Sequence, residues 1–224
     1  MRAWHFVGET LRDGRPIPKD GEKLVHTGKI ELCVSGLHAS IHPFDALRYA
    51  PGTTLCLVDC ERDIDKGRDK LVCRVRAIIA RMDFSEPLRY FARMQALSVI
   101  HLWEQNPPDV VLDWLMTGDE GLRTEAADAA YDAYAPYAPY AAGAARAAAS
   151  AARAAAADAA YYAAYYAANA ARAFADAARA ARAAYYAFYY AADAARAARA
   201  ARAARAAARD EFEALVNECF EGVL

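Results

Sequence analysis

At 224 residues with a net charge of −2 and 57% hydrophobic residues, the chain is long enough for one substantial core plus an appendage, and it is neither strongly basic nor strongly acidic as a whole. Its five cysteines, Cys33, Cys56, Cys60, Cys73 and Cys219, are odd in number and form no CxxC pair, which excludes a disulfide framework and fits a reducing cytoplasm. The opening Met-Arg-Ala-Trp-His-Phe-Val has no apolar signal core, and the long alanine run further on is too studded with arginine to make a membrane span.

In chain order, Arg2–Val7 alternates and is aromatic, which predicts a first strand. Dense turn chemistry from Asp13 to Gly21 comes next, then short strands at Lys23–His26 and Ile30–Val34 on either side of Gly28. Gly36-Leu37-His38-Ala39-Ser40 reads as a glycine turn. The segment from His42 to Ala50 has proline where a first helical turn tolerates it, an acid close behind, and Pro51-Gly52 as its stop. Thr53–Cys60 and Leu71–Ala80 are β-rich runs separated by a charged loop from Glu61 to Lys70. Residues 1–84 are therefore expected to form a small α+β domain of about five strands and one short helix.

The texture changes at Ser85-Glu86-Pro87. Leu88, Phe91, Ala92, Gln95, Val99, Leu102 and Trp103 recur with the helical period, and that helix should end before Pro107-Pro108. Asp109–Met116 makes a second helix closed by Thr117-Gly118, so residues 85–124 read as an apolar helical platform.

Residues 125–217 form an all-α arm, and 218–224 a short tail. From Ala144 to Arg209 there is neither glycine nor proline, and alanine, the best helix former, dominates. One unbroken helix of about 74 residues would be a rod of roughly 110 Å. Before it, Tyr131, Tyr134, Tyr137 and Tyr140 are spaced by three with Pro136 and Pro139 between them, which suits an extended joint. Within it, Tyr161, Tyr162, Tyr165 and Tyr166 share one arc, and Tyr185, Tyr186, Phe188, Tyr189 and Tyr190 repeat the device. So much aromatic surface is expected to be covered, either by alanine in a helix–helix seam or as a ligand cage or base-stacking platform. An antiparallel pairing of two copies about a point near Ala175 would match the two clusters, whereas helices of the 85–124 segment covering one cluster is the rival arrangement. The same stretch holds ten arginines against three aspartates, a balance of +7 that leaves −9 for the rest of the chain. Among them Arg196, Arg199, Arg202 and Arg205 form a ladder able to grip phosphates or simply to keep an alanine rod in solution.

Cys33-Val-Ser-Gly-Leu-His-Ala-Ser40, Pro43, Asp45-Ala-Leu47, Tyr49-Ala-Pro-Gly52 and Cys56 resemble an uncharacterised family found in bacteriophage and bacterial genomes. Further matches run through Asp69-Lys70, Phe91-Ala92, Leu102-Trp103 and Thr117-Gly118-Asp119. The likeness implies a similar front domain followed by a repetitive, often alanine-rich C-terminal part. It supplies a phage or mobile-element setting and no mechanism.

Three chemistries compete in the front domain. His38 beside Ser40 on a glycine turn suits an acid–base or ligand role, or else a turn that caps the helix at Pro43. Cys33, His38, His42, Cys56 and Cys60 offer zinc-ligand residue types, although strand cysteines are more often small core residues. His5 on a first strand, the Gly-Leu turn, the helix ending Tyr49-Ala50 and a strand reaching Glu61 together resemble an ADP-ribosyltransferase, in which an early-strand residue and a late acid hold NAD. The overall expectation is a cytoplasmic, non-enzymatic interaction protein that needs no cofactor or metal. Its partner would be a second copy of itself or a host protein, possible nucleic acid contacts would lie along the arginine ladder, and the purpose would be to counter a host defence.

Overall fold

The structure, a computed structural model, describes residues 1–98, 100, 106–134 and 191–223. It divides into two compact units, Met1–Pro87 with Glu211–Leu224, and Leu88–Asp210.

The first unit contains β1 (Arg2–Val7), β2 (Lys23–Val25), β3 (Leu37–Ala39), α1 (Pro43–Ala46) running into a 3₁₀ turn at Leu47–Tyr49, β4 (Thr54–Glu61), β5 (Asp65–Lys66), β6 (Leu71–Cys73) and β7 (Val75–Asp83). The strands form two antiparallel sheets, ordered β1-β4-β7-β2 and β3-β6-β5. β4 is central because it is apolar on both faces. Its Cys56, Val58 and Cys60 join Ala3, Val7, Ala39, Leu71, Cys73 and Ile78 in one buried cluster between the sheets. By strand alternation Leu55 and Leu57 point the other way, with Trp4 and Phe6 of β1 beside them.

The sheets are stitched at two places. Only Arg74 separates β6 from β7, so the run 71–83 leaves one sheet and enters the other. At the far end Trp4 and Ser40 exchange backbone hydrogen bonds of 2.7 and 2.8 Å, hooking β3 to β1. Arg74 fixes its corner by donating from Nη1 to the carbonyls of His26 (3.1 Å) and Gly28 (3.0 Å) while pairing with Asp63.

Four local expectations differ from what is seen. Ile30–Val34 is a turn closed by Glu31 and Ser35, with Cys33 in the left-handed region at φ 70°, whereas Leu37–Ala39, read as part of a turn, is strand β3. The strand begins there because Gly36, at φ 120°, lets the backbone close on β6. A Cβ at that position would sit 2.4 Å from Val72 Cγ2. The charged stretch 61–70 contains the two-residue strand β5, and α1 takes no side-chain cap from its neighbours.

Beyond Phe84 lie α2 (Ser85–Ser98), α3 (Asp109–Thr117) and α4 (Arg123–Tyr134). Leu88, Phe91, Ala92, Gln95 and Ala96 form the buried stripe of α2 at helical spacing. α3 closes on Gly118 at φ 73°, whose N–H reaches the Trp114 carbonyl at 2.8 Å. The Arg93 guanidinium lies over this end and donates to the Leu115 carbonyl at 3.1 Å, a cation at a helix C-terminus.

The last described helix, α5 (Ala191–Cys219), carries Phe212 and Val216, and Phe220 follows in the closing turn; all three are buried. Phe212 meets Phe44 and Phe84 edge-on at 6.1 and 5.9 Å, and Phe220 stands edge-on to Trp4 at 5.1 Å. Phe212 and Phe220 thus complete the aromatic layer on the Trp4 side of the first unit, where the sequence had suggested only an arm and a tail. The joint at Pro136 and Pro139, Leu102 and Trp103, both aromatic clusters and the proposed pairing point at Ala175 lie outside the described residues.

Candidate functional site

The stitched sheets leave a cleft of about 1030 Å³, whose inner end is lined by His5, His38, Ser40 and Arg76 and whose flanks carry Arg12, Asp13, Arg15, Tyr49 and Lys70. That is the size of a small-molecule site. Each side chain arrives there for a local reason. His5 follows from alternation in β1, since Ala3, His5 and Val7 share the face turned to the buried cluster. Arg76 follows in the same way from β7, where it lies in register with Cys60 and Leu24.

Histidines organise the wall formed by residues 26–38. His38 Nε2 accepts the Cys33 backbone N–H at 3.1 Å, which leaves Nδ1 to carry the proton in the neutral ring. His26 Nε2 sits 3.0 Å from Ser35 Oγ. Burial first, then the positive charge of Lys70, holds the His38 pKa below the ordinary range, with smaller contributions from Arg76 and Arg12 and an opposing hydrogen bond to Gly36. His5 is pushed well below 6.5, mainly by burial and then by Arg76 and His38. Both rings are therefore neutral at neutral pH.

Opposite them, Tyr49 donates its hydroxyl to Asp69 at 2.8 Å, Arg48 joins the same carboxylate at 3.2 Å, and Lys70 Nζ stands 4.4 Å above the Tyr49 ring. Burial and the Asp69 contact push the Tyr49 pKa up to about 12. Tyr49 is thus a neutral donor that orders the Lys70 side of the cleft.

Arg76 is the residue that the sequence reading missed. It is 6% exposed, and Nη1 donates to the His38 carbonyl. Around it stand Cys56, Cys60 and Cys73, all buried. Burial pushes the Cys56 thiol up to about 11, while a mutual hydrogen bond pushes Cys60 up and Cys73 down. The available signal was phase: Ile78, two residues on, points into the apolar cluster, so Arg76 is a charge on an inward position.

Among the expected site residues, His5 and His38 come together in the cleft. Glu61 does not. It lies at the end of β4, outside the cleft lining, where both its oxygens take hydrogen bonds of 2.9 Å from Lys23 Nζ. The zinc-type residues are also dispersed: Cys33 is exposed, His42 pairs with Glu213 at 3.5 Å, and Cys56 and Cys60 are core residues. Among the described residues no three His, Cys, Asp or Glu side chains are placed to hold a metal ion. Arg196 lies on α5, and Arg199, Arg202 and Arg205 are exposed there. No described helix is long and apolar enough to cross a membrane.

The fold and site define an α+β domain with a cationic, histidine-lined cleft. Residues 1–89 match the family model of a domain of unknown function (DUF7666), a span that contains every residue lining the cleft. Neither the curated proteins nor the solved structures yield a significant match.

Proposed function

We propose that the chain is a non-enzymatic binding protein whose front unit holds a small ligand in the cleft and whose alanine-rich arm meets a protein partner, either a second copy or a host protein. The observation that carries this reading is the cleft itself, of ligand size and lined by histidines, of which His5 and His38 are neutral at neutral pH and His38 is already engaged through Nε2. Such groups can hydrogen-bond a ligand held in the cleft. The phage or mobile-element setting implied by the motif from Cys33 to Cys56 makes interference with a host defence, in the host cytoplasm, the purpose that fits best.

The ADP-ribosyltransferase alternative asks for an acid near His5, and the late acid of that reading is engaged elsewhere, by Lys23. The test is incubation of the full chain with NAD labelled in its nicotinamide, in lysate and alone. The expected result is no nicotinamide release and no label transfer, with Glu61→Gln indistinguishable from wild type. Release that disappears in both His5→Ala and Glu61→Gln would replace the binding reading with the enzymatic one.

A further inference from the structure

The guanidinium of Arg76 is a permanent charge, because arginine does not deprotonate in proteins. Burying such a charge is costly unless an anion faces it. Among the described residues no carboxylate makes an ion pair with Arg76; its hydrogen bond goes to a neutral carbonyl, and its close neighbours are thiols and a neutral histidine. The side chain nevertheless borders the cleft, where a ligand can reach it.

The rest of the lining has the same sign. Asp13, the carboxylate among the lining residues, is held by Arg15 Nε and Nη2 at 2.9 and 2.7 Å, leaving Arg12 and Lys70 as further cations on the flanks. Lys70, Arg76 and Arg12 all line the one cleft together with His38. Buried Ser40 adds a hydroxyl to the lining. With Nη1 occupied by the His38 carbonyl, Arg76 retains Nε and Nη2 for an oxyanion, the paired geometry that phosphate accepts. Inorganic phosphate would fill only a small part of about 1030 Å³.

We infer that the cleft binds a phosphorylated small molecule of roughly nucleotide size, with a phosphate group on Arg76 and the flanking cations Arg12 and Lys70 answering its remaining negative charge. This deepens the binding reading and rests on the cleft being the binding site.

The test is thermal unfolding and calorimetric titration of the full chain with pyrophosphate, ADP and the uncharged adenosine, at low and at raised salt. ADP and pyrophosphate are expected to raise the unfolding temperature and adenosine to leave it unchanged. Arg76→Lys should weaken ADP binding at least tenfold, since lysine lacks the paired donors. Because a change at a buried position can disturb folding, the exposed Arg12→Gln and the flanking Lys70→Gln serve as independent checks. Each should weaken ADP severalfold and lower the salt dependence of binding. ADP and adenosine binding equally well would overturn the phosphate assignment while leaving the cleft a ligand site. Failure of all three probes, with wild type and variants alike, would overturn both. A probe-insensitive wild type whose ultraviolet thiolate absorbance vanishes in Cys73→Ala would assign the balancing charge to that sulfur and also overturn the proposal.

Discussion

Two of the cleft histidines, His5 and His38, are neutral for related reasons, and that neutrality has a cost at low pH. His5 and His38 both have pKa values depressed below the unfolded value of about 6.5, by burial first and by neighbouring cations second. Below that value the unfolded chain takes up protons that the folded chain refuses, so stability falls as pH falls, and the contribution is intact above it. Urea unfolding between pH 7 and 5 should show a decline of at most about 1.4 kcal/mol per pH unit for each ring. His5→Phe should reduce the slope; an unchanged slope would mean that His5 is protonated as readily folded as unfolded. His5 was legible from the strand pattern and His38 from the glycine turn. The partner of His38, the Cys33 N–H, was not, because it depends on a left-handed residue in a segment whose composition resembles a strand.

Elements with strong local signals were legible. β1 and β4 are apolar enough to declare themselves, α1 carries Pro43, and α3 ends where Gly118 permits a left-handed residue. The two- and three-residue strands were not, since β3 and β5 exist through their pairing with β6 and not through propensity. Nor could local pattern show that the end of α5 returns to the front unit. Phe212 is fully buried between Phe44 and Phe84 although it lies 128 residues after Phe84 in sequence. Phe212→Ala is therefore expected to destabilise the front unit by about 3–5 kcal/mol in urea unfolding followed by tryptophan fluorescence with Trp103 and Trp114 replaced by Phe. A loss under about 1 kcal/mol would place that aromatic outside the core.

On the scale of the whole molecule, the cleft lies within residues 1–89, the span that matches the family model. The cleft's ligand class was hidden in the sequence because a single arginine in a β-rich run looks like a surface charge until strand register shows which way it points. Arg76 is kept for a ligand and not for the fold. Breaking a buried ion pair that supports a fold typically costs about 3–5 kcal/mol, whereas removing a buried charge that has no ion-pair partner relieves its desolvation cost against the loss of one hydrogen bond, here to the His38 carbonyl. The direct measurement is the unfolding free energy of ligand-free wild type and Arg76→Met. The account predicts a variant at least as stable as wild type that no longer responds to ADP; a variant destabilised by about 3 kcal/mol or more would contradict it and make Arg76 a structural residue.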